Sequence, residues 1–235
     1  MNKTTLLKWR TISDNPLNKK VREALRSKIL DARLQYTDLD LNDYMLLSVK
    51  GKKVLDIGLC EHDLTHIDSL NWKHKKISTA SKYCLGIDII PELIDLLKSR
   101  GFNVRLFDAT SSEFLGEKFD VVFIGDVIEH VNDAIKLLQF AGRHLNPQGK
   151  IIVTTPNPFY LGYLYGIIKN KTYIANADHI SWITPTNALE IGARANINLS
   201  NIVFTLKNPL KAFLAKILPL EIIQSYYIYE FSLEE

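Results

Sequence analysis

Short β-rich runs alternate with helix-forming stretches through the middle of the chain, and this alternation restricts the possible folds most. The runs are KVLDI (53–57), YCLGID (83–88), NVRLF (103–107), FDVVFI (119–124) and KIIVTT (150–155). Between two of them, PELIDLLKSRG begins with a proline suited to a first helical turn and ends on a glycine suited to a helix C-terminus. Strands that alternate with helices form parallel sheets covered on both faces. The sequence therefore predicts a doubly wound α/β domain with helices on both faces.

The part of the chain before these runs has a helical pattern. Between residues 15 and 49, apolar residues recur at helical spacing, which predicts two amphipathic helices. We expect residues 1–49 to form an N-terminal helical cap and residues 50–235 to form the α/β domain. The stretch 68–80, DSLNWKHKKISTA, is too polar for a clean helix and is interpreted as a longer excursion.

Past residue 156 the regular alternation ends. An aromatic-rich stretch at about 157–184 predicts an inserted lid, and a Thr-Pro start signal predicts a helix over 185–195. Two late β-like runs, at 200–206 and 225–232, bring the predicted strands to seven. Between them, KAFLAKILPLEIIQ predicts an amphipathic C-terminal helix whose lysines would suit contact with a membrane surface. Burial of its apolar face against the sheet is the more common alternative.

Composition argues against several classes of protein. The 235 residues are 46% hydrophobic and 23% charged, as in one globular domain. A net charge of +3 without a concentrated basic stripe argues against a nucleic-acid partner. Two cysteines and six scattered histidines show no disulfide framework and no zinc-type spacing, so no metal is expected. The absence of a sustained apolar run predicts a cytoplasmic protein without a signal peptide or membrane span.

Acidic residues stand where four of the β-rich runs end. Asp56 is the second-last residue of the first run, Gly58 follows that run, and Asp88, Asp108 and Asp126 each end or follow a later run. Ligands of doubly wound sheets bind at the carboxyl ends of strands, where an aspartate such as Asp88 can accept hydrogen bonds from ribose hydroxyls. A carboxylate there would also repel a 2′-phosphate. A single aspartate at a strand end caps a helix or binds loop amides about as often as it binds a ligand. The hypothesis of a ligand site therefore depends on the joint placement of the four aspartates.

Two more residues extend this hypothesis to an adenosine group. Asp108, in LFDAT, is placed to accept a hydrogen bond from the exocyclic amine of adenine. Ile89, next to Asp88, would pack on the adenine face. The pattern thus predicts a site for a nucleoside with an unmodified ribose.

Motifs in a fixed order resemble those of class I S-adenosylmethionine-dependent methyltransferases, most closely the ubiquinone-biosynthesis and small-molecule or glycan group. They are VLDIG (54–58), GID (86–88), DA (108–109), FDVVFIGDVIEH (119–130) and LNPQG (145–149). The resemblance covers roughly residues 50–206. It implies a Rossmann-like seven-stranded sheet, mostly parallel with an antiparallel last strand, and S-adenosyl-L-methionine as the cofactor.

The resemblance also implies which residues hold the cofactor. They are Asp56 and Gly58 beside the methionine part, Asp88 at the ribose, Ile89, Asp108 and Ala109 around the adenine, and Gly125 and Asp126 at the methionine end. Family members usually carry two further glycines after VLDIG, where this chain has bulky residues at 59–62. A methionine carboxylate needs fewer bare amides than a pyrophosphate, so we expect the loop to bind the cofactor.

Transfer of a methyl group to a hydroxyl or amine also benefits from a base. His130, in VIEHV, lies where the acceptor approaches in the family and is the first candidate; the alternative is that it caps the following helix. His179, in the predicted lid, would reach the substrate from above or bind backbone as a loop histidine. Glu129 would accept a hydrogen bond from substrate or orient His130, although a solvated carboxylate at a helix start is the favoured interpretation. His62 is a weaker candidate.

Three functions from different classes remain open. A methyltransferase that acts on a small-molecule or cell-surface saccharide acceptor fits the largest number of motifs. A non-catalytic S-adenosylmethionine-binding or scaffold subunit would explain the glycine-poor loop. An NAD-dependent oxidoreductase would share the acidic Asp88 but lacks the G-x-G-x-x-G motif. The sequence indicates neither the acceptor atom nor the oligomeric state.

Overall fold

The computed structural model describes residues 7–60, 67, 69, 71–174 and 176–234. Its strands are β1 (Arg33–Tyr36), β2 (Lys53–Ile57), β3 (Tyr83–Asp88), β4 (Val104–Leu106), β5 (Phe119–Gly125), β6 (Leu145–Pro156), β7 (Ile197–Thr205) and β8 (Tyr226–Leu233). Its helices are α1 (Lys19–Asp31), α2 (Leu41–Val49), α3 (Lys73–Ala80), α4 (Pro91–Ser99), α5 (Ala134–Arg143), α6 (Leu161–Asn170), α7 (Pro185–Ala195), α8 (Pro209–Leu214) and α9 (Leu220–Ile223), with a 3-10 turn at Trp9–Thr11.

The strands form one sheet in the order β1-β7-β8-β6-β5-β2-β3-β4. β8 runs antiparallel to both of its neighbours, β6 and β7, and the remaining pairs are parallel. The prediction of a mostly parallel Rossmann-like sheet with an antiparallel last strand is confirmed. All seven predicted strands are present, and β1 is an additional strand at one edge.

The N-terminal segment contains both predicted helices, α1 and α2, and also the unpredicted strand β1. β1 pairs in parallel with β7, in the register Arg33↔Ile202. Its four residues are exposed or half-buried, so they lack the apolar pattern of an inner strand. The division of the chain at residue 49 into a cap and a main domain stays a prediction, as does the lid at about 157–184, in which α6 forms.

Successive residues of an inner strand point to opposite faces of the sheet, and each face has its own apolar core. Val54 of β2 packs in a cluster with Tyr44 of α2 and Ile77 of α3. The next residue, Leu55, packs in the opposite cluster, which includes Leu137 of α5. Helices therefore cover both faces, as predicted.

One polar stretch differs from expectation. Residues 68–80 contain helix α3, because His74 and Ile77, three residues apart, are buried on one side while the other polar residues are exposed or half-buried. The LNPQG motif at 145–149 forms the start of β6, opposite an irregular register between Phe119 and Val121 of β5.

The predicted C-terminal helix is two short helices, α8 and α9. Pro219, which has no N–H to donate, stands at the N-cap of α9 and interrupts the helix. α8 buries none of its residues, and its Leu210 and Phe213 are exposed, whereas α9 buries Leu220 and Ile223. Among the described residues, no helix combines the length and the apolar character needed to cross a membrane.

Candidate active site

A cavity of about 730 Å³ opens at the carboxyl ends of β2, β3 and β5. The chain leaves β2 toward β3 on one side and returns to β5 on the other, so the cavity lies at the topological switch point of the sheet. The cavity is lined by seven of the eight predicted cofactor residues, namely Gly58, Asp88, Ile89, Asp108, Ala109, Gly125 and Asp126.

Asp56 is the predicted cofactor residue that does not line the cavity. Its carboxylate is buried, and its Oδ2 lies 2.7 Å from Nδ1 of His74. This contact joins β2 to α3 beneath the turn at Gly58. Asp56 therefore supports the loop from inside the protein and does not face the cavity.

Gly58 makes the turn that follows β2, and only glycine fits there. Its φ is +79°, and a Cβ would lie 2.1 Å from Cγ2 of Val127. A side chain would therefore be strained by the backbone conformation and would also collide with the loop that follows β5.

The first two bulky residues after Gly58 are buried. Leu59 and Cys60 pack in an apolar cluster with Trp72, whose Nε1 donates a 2.9 Å hydrogen bond to the carbonyl of Leu59. At these two positions packing therefore holds the chain where family members usually carry small residues. His62 lies outside the described residues, so its predicted role stays untested.

Asp88 connects the ends of β2 and β3. Its Oδ2 accepts a hydrogen bond from the N–H of Cys60 at 3.0 Å, and its Oδ1 accepts from Ile89 at 2.7 Å and Ile90 at 3.3 Å. An ionised carboxylate has about four acceptor positions, so capacity remains for a ligand hydroxyl. Ile89 is 67% exposed and presents an apolar side chain at the cavity wall.

Asp108 and Ala109 form the next part of the wall. Oδ1 of Asp108 accepts hydrogen bonds from both the N–H and the hydroxyl of Thr110, each at 2.7 Å. These bonds orient the exposed carboxylate in the turn after β4, while Ala109 is buried beside it.

Lys73 and Asp126 form an ion pair that sequence analysis missed. Nζ of Lys73 lies 2.5 Å from Oδ2 of Asp126, and both residues line the cavity. Asp126 has a left-handed φ of +56°, and its Oδ1 accepts a 3.0 Å hydrogen bond from the hydroxyl of Thr154. Because α3 was not predicted, nothing in the sequence placed Lys73 at a helix start facing β5.

At one end of the cavity, the structure brings together all three predicted catalytic residues. The rings of His130 and His179 are 4.7 Å apart at an angle of 84°. Potential ligand atoms of Glu129, His130 and His179 all lie within 4.8 Å of one another. The sequence showed no such cluster, because the path of the chain before α7 unites residues that are far apart in sequence, and the expectation that no metal binds stays a prediction.

His130 does not cap the following helix. That role belongs to Asp133, whose side chain accepts a 3.0 Å hydrogen bond from the N–H of Lys136 at the start of α5. His130 lines the cavity instead, with its Nδ1 3.2 Å from Oδ2 of Asp178. Nε2 of His179 lies 3.4 Å from the side-chain amide of Asn176.

Glu129 is buried, which corrects the interpretation of a solvated carboxylate at a helix start. It is 1% exposed and lies in a turn before α5. Its Oε2 accepts a 3.0 Å hydrogen bond from the hydroxyl of Thr155, and its Oε1 is buried with no hydrogen-bond partner among the described residues. Burial raises the pKa of Glu129 to about 7, and the negative charge of Asp126 acts in the same direction.

Aromatic rings adjoin His179 on the side of the predicted lid. Trp182 lies 6.2 Å from the His179 ring and 5.7 Å from the ring of Tyr173. Tyr163 of α6 packs edge-on against Tyr173 at 5.6 Å. The rings pack on one another beside the histidines.

Comparison with known families and proteins identifies relatives of this chain. A family model described as a methyltransferase domain, Methyltransf_23, matches residues 22–200. A ubiquinone biosynthesis O-methyltransferase of Coxiella burnetii is 27% identical over 177 residues, which cover 70% of this chain and 71% of that protein. The enzyme of the same name from Rickettsia prowazekii is 27% identical over 225 residues, covering 88% and 83%.

Solved structures share the fold. An S-adenosylmethionine-dependent methyltransferase from Archaeoglobus fulgidus has a TM-score of 0.55 at 17% identity, over 80% of this chain and 89% of that one. Another from Clostridium acetobutylicum has a TM-score of 0.55 at 11% identity, over 93% and 100%.

Proposed function

Because this chain belongs to the Methyltransf_23 methyltransferase family and is an S-adenosylmethionine-dependent enzyme, we propose that its acceptor is a hydroxyl group of a small molecule or saccharide. Family membership rejects the oxidoreductase and the non-catalytic subunit as alternatives. The relatives named above are O-methyltransferases of ubiquinone biosynthesis, and this supports oxygen as the acceptor atom.

The residues of the cavity fit the cofactor. The turn at Gly58 lines the cavity, the carboxylate of Asp88 has remaining acceptor capacity, and the exposed face of Ile89 suits a flat apolar ring. In the proposal Asp88 and Ile89 hold the adenosine together with Asp108 and Ala109, and Gly58 lies beside the methionine part. When bound, S-adenosyl-L-methionine supplies an electrophilic methyl group on a sulfonium.

The methionine part would be held where β5 ends. Gly125 and Asp126 line the cavity there, and Lys73 adds a positive charge that suits a carboxylate. The α-amino group of the methionine would find its acceptor in Asp126. The paired charges of Lys73 and Asp126 thus complement the two charges of an amino acid.

The proposal rests above all on the meeting of His130 and His179 at the end of the cavity that Asp126 also lines. Oδ2 of Asp178 lies 3.2 Å from Nδ1 of His130 and would orient the ring so that Nε2 acts as the base. His130 would take the hydroxyl proton, and His179 would hold the acceptor in place. General base catalysis of this kind contributes roughly 100-fold or more to the rate.

The surroundings of the histidines favour an acceptor that contains a ring. Trp182 adjoins His179 and Tyr173 packs on Trp182, and aromatic side chains stack on sugar and aromatic rings. The exposed Leu210 and Phe213 of α8, with Lys211 between them in sequence, support peripheral contact with a membrane surface. We also propose a cytoplasmic location and no nucleic-acid partner.

The experiment measures formation of S-adenosylhomocysteine with matched acceptors: a diphenol, a saccharide, and the amines of the same ring skeletons. We expect methylation of at least one hydroxyl compound and none of its amine analogue. His130→Gln should lower turnover roughly 100-fold while the affinity for S-adenosylmethionine stays unchanged. Methylation of the amines alone, or full turnover by the variant, would contradict the proposal.

A further inference from the structure

We propose that Glu129, His130 and His179 bind one divalent transition-metal ion, such as Zn²⁺ or Co²⁺, at the acceptor end of the cavity. The donor atoms of the three side chains lie within 4.8 Å of one another. The inference rests on the proposed function only for the role of the ion, which would receive the acceptor hydroxyl.

The chemistry of the donors selects the class of ion. One carboxylate and two imidazoles form a set that Zn²⁺ and similar first-row ions prefer, whereas Mg²⁺ and Ca²⁺ prefer oxygen ligands. Three protein ligands leave an open position, as in catalytic zinc sites. Two of the three ligands, His130 and His179, line the cavity, so the open position can face a substrate.

The spacing is close to that of a formed site. Metal–ligand bonds of about 2.1 Å place two donors of a tetrahedral site about 3.4 Å apart. The observed limit of 4.8 Å requires the widest pair to close by somewhat more than an ångström. Rotation of the two histidine rings would bring the donors together.

The buried carboxylate of Glu129 points independently to a cation. The residue is 1% exposed, and its Oε1 has no hydrogen-bond partner among the described residues. A buried carboxylate is costly unless it is neutralised or paired with a cation. Its Oε2 is held by the hydroxyl of Thr155 at 3.0 Å, so the group is oriented without being satisfied.

The neighbours of the two histidines match the outer shell of a metal site. Ligating histidines usually bond their second ring nitrogen to a carboxylate or another polar group, which sets the tautomer. Oδ2 of Asp178 lies 3.2 Å from Nδ1 of His130, and an ion on Nε2 would let this ring donate to that carboxylate. The side-chain amide of Asn176 lies 3.4 Å from Nε2 of His179, and with its oxygen turned to the ring it would accept the Nε2 proton while Nδ1 binds the ion.

An ion at this place would change the role of His130 from base to ligand. The positive charge would lower the pKa of the acceptor hydroxyl, whose O–H bond breaks and whose proton passes to solvent water. The freed oxygen electron pair then forms the bond to the methyl group, while the S–C bond of the sulfonium breaks and leaves a neutral thioether. His130→Gln lowers turnover under either role, so turnover alone does not separate them.

The test is a titration without any acceptor. Purified protein is stripped with a chelator and titrated with Co²⁺, followed by its visible absorption, and with Zn²⁺, followed by calorimetry. We expect one equivalent to bind, and His179→Gln and Glu129→Gln to bind at least about 100-fold more weakly. Asp178→Asn, which alters only the outer shell, should weaken binding by about 10-fold or more.

A double variant, His62→Gln with His66→Gln, tests whether these two histidines bind the ion in place of the three proposed ligands. This double variant should still bind one equivalent of Co²⁺ or Zn²⁺. No stoichiometric binding by the wild type, or binding that follows His62 and His66, would overturn the inference. Affinity for S-adenosylmethionine, measured on the same samples, separates the two proposals. If cofactor binding and hydroxyl methylation persist in stripped protein, only the metal inference fails.

Discussion

Lys73 and Asp126 form a 2.5 Å ion pair between the first turn of α3 and the end of β5, on the wall of the cavity. The positive charge of Lys73 neutralises the carboxylate of Asp126 at the proposed methionine end of the cavity. Removal of the cation leaves Asp126 to repel the carboxylate of a bound methionine.

We therefore expect Lys73→Met to weaken S-adenosylmethionine binding about tenfold, which corresponds to roughly 1.4 kcal/mol. Lys75→Met, on the exposed side of the same helix, is the matched control and should bind normally. Calorimetric titration compares the two. Equal affinities would show that Lys73 has no part in the cofactor site.

A comparison of Gly58 with Gly51 separates the cost of backbone strain from the cost of a steric collision. Gly58→Ala adds a Cβ both at φ +79° and 2.1 Å from Val127, whereas Gly51→Ala adds one at φ +66° in open space. We expect Gly51→Ala to lower the free energy of unfolding by about 1 kcal/mol and Gly58→Ala by roughly 2–4 kcal/mol. Val127→Ala should recover part of the Gly58→Ala loss, as measured by urea denaturation. If the second substitution restores nothing, Val127 is not the obstacle.

Asp88 should contribute more to cofactor binding than any other carboxylate of the cavity. Asp88→Ala removes the proposed acceptor of a ribose hydroxyl, and a hydrogen bond to a charged group contributes about 1.5–3 kcal/mol. Affinity for S-adenosylmethionine should fall at least about 10-fold. Circular dichroism checks that the fold persists, since the N–H groups of Cys60 and Ile89 also lose their acceptor. Unchanged affinity would remove Asp88 from the ribose site.

The environment of Glu230 predicts that the free energy of unfolding depends on pH. Burial alone would raise the pKa of its carboxyl, but the charge of Lys150 and hydrogen bonds from Lys150, Tyr44 and Asn201 outweigh burial and lower it. Because the pKa of Glu230 is lower in the folded state than in the unfolded chain, its ionised carboxylate stabilises the fold at pH values above the pKa of the unfolded chain. This stabilisation is lost as the pH falls through the folded pKa.

Glu230→Gln should therefore lower the free energy of unfolding at pH 7 by about 3 kcal/mol, the lower end of the range for buried pairs, because Lys150 is partly exposed. The difference from wild type should shrink as the pH falls below the ordinary range of glutamate. Glu23→Gln, in an exposed pair on α1, should change little at any pH. Urea denaturation at several pH values tests this, and a difference that grows toward low pH would contradict it.

Local patterns were sufficient to predict the elements that position the cofactor site. The apolar runs at Lys53–Ile57 and Tyr83–Asp88 form strands with the predicted bounds, because inner parallel strands are buried on both faces. The residues that follow such strands, Gly58 and Asp88 among them, then meet at one edge of the sheet.

The features that were missed depend on tertiary contacts. β1 is a half-exposed edge strand that is held by pairing with β7, and α3 is a polar helix that is held by two buried residues. The contact of His130 with His179 depends on the route of the chain between α6 and α7, which local sequence patterns do not reveal.

The position of β8 affects how the chain can fold during synthesis. β8 comes after β6 and β7 in the chain but lies between them in the sheet. In the described sheet, β8 therefore joins the β1–β7 pair to the other strands. Until Tyr226–Leu233 has left the ribosome, the nascent protein has two unjoined pieces of sheet, each with an open apolar edge at the place where β8 belongs. The cofactor cavity is built by β2, β3 and β5 in the larger piece, so the ligand-binding half can assemble before the sheet is whole.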